Sequence, residues 1–322
     1  MRKTVRTSIT AALAGLGLLL TACGTTPETS APTAGNRIPV VASTNVYGEI
    51  VESIGGAKVN VTAIISRTSQ DPHSYEASAQ DRLAISKAKL VLENGGGYDD
   101  FLHTMADDNN IPHDSIISAV EVSGLAPAAD STPSAAADGG HDHGHGDFNE
   151  HVWYSPQAMS RLADAVAAKL GTIDPGSSAE FSANAASFKS GLKEIEGKLA
   201  AIKKARGGSS VAVTEPVPLY LLEAAGLENR TPAAYTAAIE EGTDVSPAVL
   251  KAATALAASP ETKLLAYNEQ TDGPQTEALK NAATAAGTPV VNFSETLPDG
   301  KTYLQWMTDN VGNISKALES KN

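Results

Sequence analysis

One cysteine, Cys23, stands in a chain of 322 residues. A lone thiol permits no disulfide within the chain and no metal site built from several thiolates. Aromatic residues are scarce, at 5%, while alanine and glycine are plentiful, so helices with small side chains are expected. Positive charge is also in short supply: 24 Lys and Arg face 37 Asp and Glu, a net −13. Residues 1–22 hold three of the basic side chains and no acidic one. The remainder therefore carries 21 basic against 37 acidic groups, a net −16. That sign argues against nucleic acid and anionic lipid as ligands and is compatible with a cationic one. No His-Glu-x-x-His and no Gly-x-Ser-x-Gly occurs, which removes two common hydrolase signatures.

What is present begins with a leader. Arg2, Lys3 and Arg6 precede an apolar run over residues 8–22, too short for a comfortable membrane span. Leu20-Thr21-Ala22-Cys23 resembles a bacterial lipobox. That resemblance implies a signal peptide over 1–22 and lipidation of Cys23. The alternative is an ordinary signal peptide with an incidental cysteine. Residues 23–37 are rich in Pro, Thr, Ala and Ser and read as a flexible tether.

Strand and helix patterns then alternate. Apolar runs at 38–42, 59–65, 90–92 and near 116–117 predict strands, with helical spacing between them. Residues 123–150 lack a periodic apolar face and read as a flexible loop, with the run His141-Asp142-His143-Gly144-His145 inside it. Helical spacing resumes through Met159, Leu162, Val166 and Leu170. Phe181, Phe188, Ile195 and Ile202 recur every seven residues, with Ala185, Leu192 and Leu199 between them. This predicts one long amphipathic helix, closed by Gly207-Gly208. A second alternating series follows, with strands at 210–214, 264–267 and 289–293. The expected fold is α/β: two lobes, each a mainly parallel sheet flanked by helices, bridged by one long helix. The domain boundaries read as 38–170, 174–206 and 207–322.

Open α/β sheets place ligand groups in loops after the carboxyl ends of strands. His73 follows the second strand, Glu215 a strand of the second lobe, and Glu295 the last strand. His151 opens His151-Val152-Trp153-Tyr154-Ser155-Pro156, where packed aromatics fix the ring and Ser-Pro starts a helix. Two imidazoles and two carboxylates suit a borderline divalent cation such as zinc or manganese. Each position alone has a plainer reading. Glu215 before Pro216 also fits a helix cap, and His103 and His113 read as surface or structural. Asp71 and Glu76 are open between orienting His73 and ordinary turn or surface roles.

Asp71-Pro72-His73-Ser74-Tyr75-Glu76, His151-Val152-Trp153 and the long bridging helix resemble the cluster A-I substrate-binding proteins of zinc and manganese ABC importers. The resemblance runs from Val41-Ala42-Ser43-Thr44-Asn45 to Tyr303-Leu304-Gln305-Trp306-Met307. It implies a metal held between the lobes by His73, His151, Glu215 and Glu295. It further implies an extracytoplasmic monomer, lipid-anchored to the bacterial membrane and delivering its ion to a membrane permease. Many zinc-type members carry a third histidine where this chain has Glu215. Manganese-type members usually have aspartate where it has Glu295. Affinity at N/O sites favours zinc over manganese, so zinc is expected first and manganese next. Four protein ligands leave no open position for a reactive water, so binding and not catalysis is expected. The alternatives are a metal-binding adhesin or a metal buffer without a transporter, and then a zinc hydrolase. The histidine run is open between a low-affinity collector and a solvated linker.

Overall fold

The computed structural model describes residues 37–67, 70, 75–126 and 148–320. Cys23, His73 and the run 141–145 lie outside the described residues.

The first half forms a four-stranded parallel sheet in the order β2-β1-β3-β4. Its strands are β1 (Ile38–Thr44), β2 (Val59–Ile65), β3 (Leu90–Glu93) and β4 (Ile116–Ser118). Helices α1 (Asn45–Gly55), α2 (Ala79–Ile85), α3 (Asp100–Asp108) and α4 (Ala119–Ser123) connect and cover them. The second half repeats the plan with the order β6-β5-β7-β8. Here the strands are β5 (Ser210–Val213), β6 (Glu228–Asn229), β7 (Thr262–Asn268) and β8 (Val290–Phe293). The apolar runs become strands because both faces of each sheet are covered, so no alternation with polar residues is needed. Both residues of the two-residue edge strand β6 are exposed, and it escapes any periodicity test.

Helix α5 (Pro156–Ile173) starts as the Ser-Pro pair requires: Ser155 accepts from the Ala158 amide, and Pro156 sits in the first turn. Helix α6 (Ser178–Arg206) has 29 residues and is therefore about 43 Å long. All seven apolar positions of its repeat are buried: Phe181, Ala185, Phe188, Leu192, Ile195, Leu199 and Ile202. Its N-terminal part packs on α1 and α5, and Asn184 donates to the Ile54 carbonyl at 2.9 Å. Further along, Phe188 meets Tyr303 with ring centroids 5.7 Å apart. Tyr303 opens the last helix, α11 (Tyr303–Ser320). The long helix thus binds both lobes into one apolar core.

The second half also contains α7 (Leu219–Ala224), α8 (Ala233–Glu240), α9 (Pro247–Ala257) and α10 (Pro274–Ala285). Helix α8 lacks a sequence signal. Only Tyr235 of its eight residues is buried, so no apolar stripe marks it.

Candidate metal site

The site begins at the end of β5. The Thr214 amide donates to the Ala266 carbonyl at 3.0 Å, and the Thr214 hydroxyl accepts from the Asn268 amide at 2.9 Å. Strands β5 and β7 therefore leave the sheet side by side, where the chain order reverses between central neighbours. Such a crevice is where open α/β sheets hold ligands.

Glu215, Asn268 and Glu295 follow or end the three long strands of this half and are all buried. The Asn268 side-chain amide nitrogen donates to Glu215 Oε2 and, at 2.9 Å, to Glu295 Oε1. Thr271 Oγ1 donates to the same Glu215 oxygen at 2.6 Å. Gln270 fixes the turn carrying Glu295, since its side-chain oxygen accepts from the Glu295 amide at 2.6 Å and the Thr296 amide at 3.1 Å. A neutral amide thus gathers two carboxylates without neutralising them.

The first half supplies His151, which is 1% exposed. Asn149 Oδ1 lies 2.7 Å from His151 Nδ1 and accepts from the His151 amide at 3.1 Å. An acceptor there puts the ring proton on Nδ1 and leaves Nε2 as the basic nitrogen, the tautomer a metal ligand needs. The second half holds Asn149 in turn: its side-chain amide donates to the Pro216 carbonyl at 3.0 Å, and Tyr220 donates to its carbonyl at 2.6 Å. Trp153 and Tyr98 wall the imidazole edge-on, at centroid distances of 5.1 and 5.9 Å.

Tyr98 joins the two halves of the site, because its hydroxyl also donates to Glu295 Oε2 at 3.0 Å. Burial, then the Glu295 charge, push that hydroxyl well above its ordinary value, so it remains a donor.

One further grouping crosses between the lobes. Single ligand atoms of Glu150, His151 and Glu240 lie within 4.8 Å of one another. Burial raises the Glu240 carboxyl to about 8, helped by the charges of Glu150, Glu215, Glu295 and Glu241. The charges of Glu150, Glu215 and Glu295 therefore all act on Glu240. Of the residues singled out in the sequence, His151 joins this grouping, and Glu215 and Glu295 join each other through Asn268. His103 lies elsewhere, with its Nδ1 3.2 Å from both Glu93 oxygens. His113 stacks near it at 6.2 Å.

The sequence reading missed Asn149, Glu150, Asn268, Tyr98 and Glu240. The first two immediately precede His151, and Asn268 follows an apolar strand as Glu215 does. Adjacency or the strand-end rule could have raised those three. Tyr98 follows a glycine triplet after β3, a turn that the same rule reaches. Glu240 has no local signal, because its helix has none.

Two α/β lobes joined by one long helix, with imidazole and carboxylate groups meeting between them, define a bilobal cleft protein. The chain belongs to the family described as zinc-uptake complex component A, periplasmic (ZnuA), whose model matches residues 40–317. It is 26% identical over 181 residues to the manganese-binding lipoprotein MntA of Halalkalibacterium halodurans, covering 56% of this chain and 54% of that protein. It is 29% identical over 204 residues to a putative metal-binding protein of Treponema pallidum, covering 61% and 63%. The matches thus span less than two thirds of either relative. In fold, the periplasmic zinc binding protein TroA of Treponema pallidum superposes with a TM-score of 0.67 at 21% identity. That superposition covers 88% of this chain and 99% of TroA.

Proposed function

We propose that this chain captures a divalent first-row cation, zinc or manganese, in the cleft between its lobes and delivers it to an ABC importer. The observation that carries this reading is Tyr98, whose ring lies against buried His151 of one lobe while its hydroxyl donates to buried Glu295 of the other. His151 has its Nδ1 engaged by Asn149, and Glu215 and Glu295 share the Asn268 amide. Mixed nitrogen and oxygen donors of this kind suit borderline ions. Family membership and relatives named for manganese or metal binding support the same class of cargo.

In this reading His73, His151, Glu215 and Glu295 are the ligands. The imidazoles bind neutral and the carboxylates ionised, so affinity falls in acid. The protein binds and releases its ion without catalysis. It is extracytoplasmic, anchored through lipid on Cys23, monomeric, and partnered by a membrane permease. No helix among the described residues is long and apolar enough to cross a membrane.

The test is competitive zinc and manganese titration of protein lacking residues 139–147, beside Glu215→Gln in the same background. One tight equivalent that the substitution weakens at least tenfold is expected. Several weak equivalents unaffected by Glu215→Gln would refute the cleft site.

A further inference from the structure

Glu240 stands in the last turn of α8. The carboxyl end of a helix carries partial negative charge, so an acid there is ordinarily unfavourable and a base is preferred. Glu240 Oε1 is nonetheless buried with no hydrogen-bond partner among the described residues. A buried carboxyl oxygen without a hydrogen-bond partner is costly, and an ionised one more so. The surroundings make matters worse, since the charges of Glu150, Glu215 and Glu295 all bear on this group. No structural benefit of this placement is visible, and a cation would relieve every part of it.

The geometry provides for one. Zinc and similar ions sit about 2.0–2.2 Å from nitrogen and oxygen ligands. Atoms of Glu150, His151 and Glu240 already within 4.8 Å of one another can close on an ion with small side-chain rotations. A cavity of about 690 Å³ reaches Glu215 and Glu240 and is walled by three further acids, Glu241, Asp244 and Asp272.

We infer that Glu240 is a direct ligand of the captured cation, donated by the second lobe at the edge of the acidic cavity. The inference rests on the metal-capture reading and adds to the four ligands named there. Carboxylate oxygens suit manganese better than they suit softer ions. Glu240 therefore narrows zinc's advantage, and manganese loses more than zinc when it is removed.

The experiment uses the full chain as wild type, Glu240→Gln, Glu240→Asp, His151→Ala and, as a control far from the cleft, Glu261→Gln. Each is titrated with manganese and with zinc, and the metal-free forms are melted. Glu240→Gln should weaken manganese at least tenfold and zinc less, with the metal-free melting temperature equal to or above wild type. A merely structural residue would lower it. Glu240→Asp, which keeps the charge but withdraws it by one methylene, should fall between. Glu261→Gln should match wild type. Wild-type affinities and an unchanged zinc-to-manganese ratio in Glu240→Gln, with binding lost in His151→Ala, would overturn the inference and leave the capture reading standing. Undiminished binding in His151→Ala would overturn both.

Discussion

Tyr98 is the residue on which the geometry of the site turns. Its ring packs against Trp153 at 4.9 Å and faces His151, while its hydroxyl holds Glu295. Tyr98→Phe keeps the packing and removes the donor. A hydrogen bond to a charged group contributes roughly 1.5–3 kcal/mol. Metal-free stability should accordingly fall by that order, and metal affinity should fall as well because Glu295 is no longer held, as a thermal melt and calorimetric titration will show. Glu93 makes a separate prediction about pH. Burial, then the charge of Asp99, raise its carboxyl to about 7, aided by Glu121 and opposed by His103. Burial alone would lower His103, but Glu93, Asp107 and Asp100 outweigh it and raise its pKa. Between its ordinary 4.5 and about 7, folded Glu93 holds a proton that the unfolded chain has released. Stability from this group is therefore full at low pH and declines as pH rises through that window. The raised His103 acts in the same direction, its contribution fading as pH rises past 6.5. Metal-free protein should melt lower at pH 8 than at pH 5, and Glu93→Gln should flatten that slope in scanning calorimetry. The residues legible in the sequence were those with a positional reason. His151 sits among aromatics that must be buried, and Glu215 and Glu295 follow apolar runs. Glu240 was illegible because what makes it notable is the company it keeps across the cleft.

Among the elements, α6 was the most readable and α8 the least, for one physical cause. A helix that buries a continuous stripe writes that stripe into its sequence at a regular interval, whereas one that buries a single tyrosine writes nothing. Helix α6 is also the element whose packing can be tested most directly. Phe188 is 4% exposed and meets Tyr303 at the start of α11. Truncating a buried phenylalanine costs about 3–5 kcal/mol. Phe188→Ala should lower stability by that order in denaturant titration and weaken metal binding, because the same helix sets both lobes. Helix α11 depends on the first half at its other contact too: the Tyr303 amide donates to Glu49 Oε2 of α1 at 2.9 Å. A carboxylate at a helix N-terminus satisfies an otherwise unpaired amide and the local positive potential. No sequence pattern announces a cap supplied from more than 250 residues away.

At the scale of the molecule, the lobes are tied by more than the long helix. Asn45 donates to the Leu297 carbonyl and accepts from the Leu297 amide, both at 2.8 Å. Tyr154 donates to the Ser294 carbonyl at 2.8 Å, and Tyr303 to the Trp153 carbonyl at 2.6 Å. Asn45→Ala removes a reciprocal pair and leaves two backbone groups without those partners. A cost of about 1–3 kcal/mol follows. Small-angle scattering should then record a larger radius of gyration for the metal-free variant than for wild type, with added metal drawing it back. The paired strand orders β2-β1-β3-β4 and β6-β5-β7-β8 have a further consequence. The two halves place an asparagine just beyond or at the end of the corresponding strand: Asn94 after β3 and Asn268 ending β7. Asn94 spends its side chain on its own scaffold, donating to the Gly95 and Glu150 carbonyls, while Asn268 gathers Glu215 and Glu295. One half thus uses its asparagine to frame the histidine loop, and the other uses it to gather acids. A substitution at the strand ends of the second half therefore alters the acids while leaving untouched the bonds by which Asn94 holds the Gly95 and Glu150 carbonyls.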